Sequence, residues 1–151
     1  TASGVRGIKL SAADDFVIGM VCVNTEYQED LLVVSENGYG KRSLIEDYRI
    51  INRGGKGVKT LNVTDKTGKL IAIKNVTDED DLMIITRNGI TIRLSIDQLR
   101  RLGRATQGVK LINLGDVDTI AAVAKVSKSD EEESEPDSEI ETPDNKEIDS
   151  E

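Results

Sequence analysis

The stretch INRGGKGVKTL, residues 51–61, sets Arg53 and Lys56 among Gly54, Gly55 and Gly57. Glycine lets backbone N–H groups come close to an anion, and arginine or lysine beside those amides adds charge. Phosphate is the anion that suits both. The spacing is not that of a phosphate loop opening a helix, Gly-x-x-x-x-Gly-Lys-Ser/Thr, nor of a dinucleotide fingerprint. A tight turn between strands would call for the same glycines, so both readings stand at this point. The corner recurs as TASGV (1–5) and ATQGV (105–109), and Arg53 and Arg104 precede the second and third copies. Other cations fall in register with it. Lys41, Arg42 and Arg93 follow Asn-Gly turns, Arg49, Arg100 and Arg101 lead toward corners, and Arg6, Lys9, Lys59 and Lys110 follow them. Together these sixteen positions, glycines included, are the candidate anion-binding set, a basic band along one side of the molecule.

Other chemistry has little to work with. The chain contains no histidine, which removes His-based triads, general bases and metal ligands. Its one cysteine, Cys22, excludes a Cys-rich zinc site. Lying in the apolar run FVIGMVCVN, Cys22 is expected to be a buried, inert thiol. Tyr27, Tyr39 and Tyr48 have no adjacent base or metal cluster that would make a nucleophile. DEDD (78–81) could be taken for paired carboxylates, but its place between KNVT and LMIIT reads as a solvated turn. No apolar run approaches the ~18 residues of a membrane span, and no signal-peptide pattern is present.

The elements that must carry the corners repeat with them. LLVVSENGYGKRSLIEDY (31–48) aligns with LMIITRNGITIRLSIDQL (82–99) at an offset of 51. GVRGIKL (4–10), GVKTLNV (57–63) and GVKLINL (108–114) form a second matching set. Each Asn-Gly lies between two strand-like runs, a strong hairpin signal. KLIAIKNV (69–76) and TIAAVAKV (119–126) read as further strands, and SIDQLRRLG (95–103) as either one helical turn or a connecting loop. The result is an all-β array of propeller-type blades of about four strands. The units are 1–52, 53–103 and a partial one over 104–126, too few to close a ring, so the chain is expected to be a fragment of a larger domain.

The formal charge of −8 averages two different regions. Residues 127–151 hold 12 acids and 2 bases, whereas residues 1–126 hold 16 acids and 18 bases, a net of +2. The acidic segment has too few apolar residues to offset chain entropy and is expected to be disordered. Tethered to a basic body, it is expected to compete with an anionic ligand.

TASGVRGIKL, ENGYGKR, GGKGVK and GRATQGVKLI, in this order, resemble the C-terminal domain of bacterial DNA gyrase A over residues 1–126. The acidic tail is similar to that family too. The resemblance implies a six-bladed β-pinwheel whose blades exchange strands, and double-stranded DNA bent around a basic rim in support of ATP-dependent negative supercoiling. It implies no cofactor in this chain, with the catalytic tyrosine, ATP and Mg in other parts of a complex with the rest of the gyrase A protein and with the gyrase B protein. It implies a cytoplasmic, nucleoid-associated protein. The family's leading Gln-Arg-Arg-Gly-Gly-Lys-Gly box is matched by residues 53–57 but not by Ile51 and Asn52, so this is a degenerate late copy. The related C-terminal domain of topoisomerase IV, or a protein-interaction propeller, is the alternative.

Overall fold

The computed structural model describes residues 3–24, 26–115 and 117–127; the acidic stretch 128–151 lies outside them. Among the described residues all regular structure is β apart from two 3-10 turns. The strands are β1 (Asp30–Ser35), β2 (Tyr39–Leu44), β3 (Leu70–Val76), β4 (Asp80–Thr86), β5 (Thr91–Ser95), β6 (Val109–Lys110) and β7 (Ile120–Ser127). Ser127, which the composition assigns to the tail, closes β7. Among the described residues no helix is long and apolar enough to cross a membrane.

Two antiparallel sheets result, ordered β3-β1-β2-β6 and β5-β4-β7. Their registers repeat at the 51-residue offset. Val34 faces Gly40 as Ile85 faces Thr91, and the bulge at Val34/Ser35 in β1–β3 recurs at Ile85/Thr86 in β4–β7. Both hairpins turn on Asn-Gly, with Gly38 at φ +83 and Gly89 at φ +85. Among the described residues no other residue type has positive φ, so Asn37 and Asn88 are not left-handed. The loops are therefore three-residue turns ending in a left-handed glycine, not two-residue Asn-Gly turns. The stretch 95–103 contains one 3-10 turn, Ile96–Gln98, matched by Ile45–Asp47 in the first unit.

The sheets run out of phase with the sequence units 1–52, 53–103 and 104–126. The first takes its hairpin from 30–44, its third strand from 70–76 and its last strand from 109–110, which lies beyond the second hairpin. This is strand exchange between blades. β1 and β4 are central strands, and Leu32, Val33, Val34, Leu82 and Ile84 are fully buried. Leu32, Val34 and Val76 from one sheet meet Leu82, Ile84 and Ile120 from the other, with Ile96, Leu111 and Ile112, in a single core. Full burial of each such side chain contributes ~1.5–3 kcal/mol.

Residues 16–23 form no strand. Phe16, Val17 and Met20 are 69%, 64% and 86% exposed, and Cys22 is exposed rather than buried. Their counterparts β3 and β7 each pair with the first strand of a hairpin that precedes them in the chain. No hairpin precedes residues 16–23 among the described residues, and most of the run is exposed, with Ile18 and Val21 half-buried.

Candidate nucleic-acid interface

Each later glycine corner is joined through its backbone to the segment that follows the corner before it. The Gly54 amide donates to the Gly7 carbonyl and the Lys9 amide to the Gly55 carbonyl, both at 2.8 Å. One repeat later, the Asn62 amide donates to the Thr106 carbonyl at 3.0 Å. The Arg104 guanidinium reaches the Lys59 carbonyl at 3.5 Å. The leading glycines Gly4, Gly57 and Gly108 all have φ between +78 and +80, a left-handed turn that side-chain-bearing residues resist. The corners are thus tight turns, each seated against the stretch after the one before it in a ladder, and among the described residues only the third leads directly into a strand, β6.

That ladder gathers part of the candidate set. Arg6, Lys9, Arg53, Lys56, Lys59 and Lys110 are exposed on it, Gly55 is exposed, and Gly54, Gly57 and Arg104 are half-buried. Arg49 and Arg100 are exposed on the approaches to the second and third corners. Among the described residues, ion pairs engage Arg42, Lys69, Arg93, Arg101 and Lys125, and none of the corner cations. Solvated, uncompensated charge in a row can attract an extended polyanion.

The remaining cations point elsewhere. Lys41 is 1% exposed, and its Nζ donates to the Gly103 carbonyl at 2.6 Å and to the Arg104 carbonyl. Burial pushes its ammonium down to about 8, with Asp47 opposing and Arg104 adding to the shift. Arg42 is 4% exposed and paired with Asp30 and Asp78, while its Nε donates to the Leu99 carbonyl. Arg101 donates to Asp30 at 2.8 Å, and Arg93 to Asp81 at 2.7 Å. Sequence position alone put all four in the basic band. Their geometry ties them to carboxylates and carbonyls of the fold.

Of the carboxylates on the other side of these pairs, Asp78 and Asp81 belong to DEDD, whereas no motif in the sequence marks Asp30. Asp30 and Asp81 occupy the same place in the repeat, each 12 residues before its arginine partner, and that spacing was the available signal. DEDD is not a solvated turn throughout. Asp80 and Asp81 are buried at the start of β4, where Asp80 accepts from the Thr77 amide and hydroxyl and Asp81 from the Ser95 hydroxyl.

Comparison with known proteins agrees with this architecture. The family described as DNA gyrase C-terminal domain, beta-propeller, matches residues 1–24, 29–77 and 80–127. The second and third spans each hold one hairpin and the strand that returns beside it. The chain is 45% identical to the DNA gyrase A protein of Staphylococcus aureus (strain MRSA252) over 135 residues, 89% of this chain and 15% of that protein. It is 44% identical to the DNA gyrase A protein of Staphylococcus epidermidis (strain ATCC 12228) over 131 residues, 87% of this chain and again 15% of that protein's length. A solved DNA gyrase A C-terminal domain superposes with a TM-score of 0.61 at 25% identity, covering 65% of this chain and 33% of that one. The solved C-terminal domain of DNA topoisomerase IV superposes with a TM-score of 0.74 over 82% of this chain and 38% of that one; at 17% identity it speaks to the fold alone. With three repeats matched and two blades formed from them, this chain belongs to the DNA gyrase C-terminal domain, beta-propeller, family.

Proposed function

We propose that this chain is a non-catalytic segment that binds double-stranded DNA without reading its sequence and helps to bend it. The parent protein on this reading is a DNA gyrase A protein, which works with the gyrase B protein and ATP to introduce negative supercoils in the bacterial cytoplasm. ATP and Mg belong to other parts of that complex. The observation that carries the reading is the ladder of stacked corners with its unpaired, exposed Arg6, Lys9, Arg53, Lys56, Lys59 and Lys110. Phosphate contacts position DNA without conveying sequence, and nothing among the described residues resembles a helix for the major groove.

Binding should therefore be salt-dependent and indifferent to sequence. Arg53→Ala with Lys56→Ala is expected to weaken binding equally on unrelated duplexes. The slope of log K against log salt should fall by about 0.9 for each phosphate that is no longer neutralised. Isotherms at several salt concentrations measure it. A slope unaltered by the double substitution, or a marked preference for one sequence, would sink the reading.

The acidic stretch gives a second test. Removing residues 128–151 strips a net charge of −10 from beside a body of +2. A tethered polyanion competes with DNA at high effective concentration, and salt screens the attraction beyond ~10 Å at 0.1 M. Truncation is expected to tighten DNA binding most at low salt, with the gain shrinking as salt rises. Equal affinities at low salt would leave the stretch as a solubilising segment only.

A further inference from the structure

We infer that Lys41 is a positioning residue, which seats the third glycine corner, and with it Arg104 and Lys110, on the edge of the first hairpin. What those seated cations then do rests on the DNA-binding reading; the seating itself does not.

The segment that carries the corner is fastened to β2 at both ends by its backbone. The Leu102 amide donates to the Arg42 carbonyl and the Leu111 amide to the Gly38 carbonyl, each at 2.8 Å, and Val109 and Lys110 pair with Gly40 and Tyr39. Between these points the chain leaves the pairing with β2 to turn through the corner. Three consecutive side chains of β2 hold it there. Arg42 Nε donates to the Leu99 carbonyl, Ser43 Oγ to the Leu102 carbonyl at 2.7 Å, and Lys41 Nζ to the carbonyls of Gly103 and Arg104. An ammonium offers three donors on one atom, so it can serve two adjacent carbonyls at once. Charged donors make the stronger hydrogen bonds, and each of these contacts is part-buried. At 1% exposure Lys41 would have to leave both carbonyls to meet a phosphate.

The second hairpin lacks two of these three donors. At the 51-residue offset, Lys41 and Ser43 become Ile92 and Leu94, neither of which carries a donor. Among the described residues no strand lies on the outer edge of β5. Arg42 becomes Arg93, which keeps its donors but gives Nε to Asp81 at 2.7 Å.

Amide hydrogen exchange on the whole chain, with and without Lys41→Met, tests the assignment. Exchange at the Leu102 and Leu111 amides should become about tenfold faster, equivalent to ~1.4 kcal/mol, while the buried strand β4 keeps its protection. On DNA, Arg104→Ala should cost less in the Lys41→Met background than alone, because a loosened corner no longer presents that arginine. Unchanged exchange together with a salt slope lowered by about 0.9 would overturn the inference, since that is the signature of a direct phosphate contact. Should the native chain bind no DNA, the exchange result still decides the seating, and the failure falls on the DNA reading alone. If Lys41→Met does not fold, Ser43→Ala removes another bond to the same segment without altering charge. Faster exchange at Leu102 in that variant supports the clamp, and unaltered exchange overturns it.

Discussion

Arg42→Ala is expected to lower stability by ~3 kcal/mol, at the low end of the range for breaking a buried ion pair. The Arg42 side chain is 5% exposed and lies between Asp30, itself 3% exposed, and Asp78. Truncation strands the Leu99 carbonyl and leaves Asp30 with Arg101, whose own side chain is 45% exposed. That surviving partner keeps the loss from being larger. Arg93→Ala is the matched comparison, because Arg93 occupies the same place one repeat later and pairs with Asp81 while 34% exposed. Arg93 is the more open to water, and Asp81, 11% exposed, keeps the Ser95 hydroxyl as a donor, so the loss should be smaller, ~1–2 kcal/mol. Urea melts of the two variants measure both, read as midpoint shifts at constant slope. Equal losses would mean that burial does not govern these pairs.

The contrast between these two arginines marks how far the sequence could be read. The 51-residue repeat, the hairpins around Asn37-Gly38 and Asn88-Gly89 and the strands at 69–76 and 119–126 were legible, because each is a local pattern of apolar runs and turn residues. The stacked corners were legible as a recurrence, though not as a ladder. What the cations touch was not legible. Lys41 finds Gly103 and Arg104, 62 and 63 residues away, and Arg42 finds Leu99, 57 residues away. Nothing in the local pattern separates a lysine on carbonyls from one in solvent. Strand exchange has the same consequence at larger scale: repeats counted from one glycine corner to the next cut across sheets that begin at the hairpins. Cys22 illustrates the converse. Its apolar neighbours suggest burial, but burial needs a paired hairpin, and among the described residues that segment has none.

Gly108→Ala is expected to cost ~3 kcal/mol or more, and Gly57→Ala only ~1–2 kcal/mol, since both glycines hold the left-handed conformation, φ +78 and +79, and an L-residue there costs ~1–2 kcal/mol. Their surroundings differ. A Cβ on Gly108 would lie 2.5 Å from the Gly40 carbonyl oxygen and 2.9 Å from its carbon. Those are backbone atoms of β2, so the clash is relieved only by parting β6 from β2. A Cβ on Gly57 would meet nothing nearer than Ile8 Cδ1 at 3.5 Å, an ordinary contact. Denaturant melts of the two variants test the ranking, and equal losses would refute the close crossing of Gly40 and Gly108. The pair also separates the two uses of the glycine corner. If Gly57 serves only the turn, DNA affinity of its alanine variant should match the native chain wherever both are fully folded. If it also lets the backbone approach a phosphate, the added methyl should weaken binding under those same folded conditions, on every duplex alike.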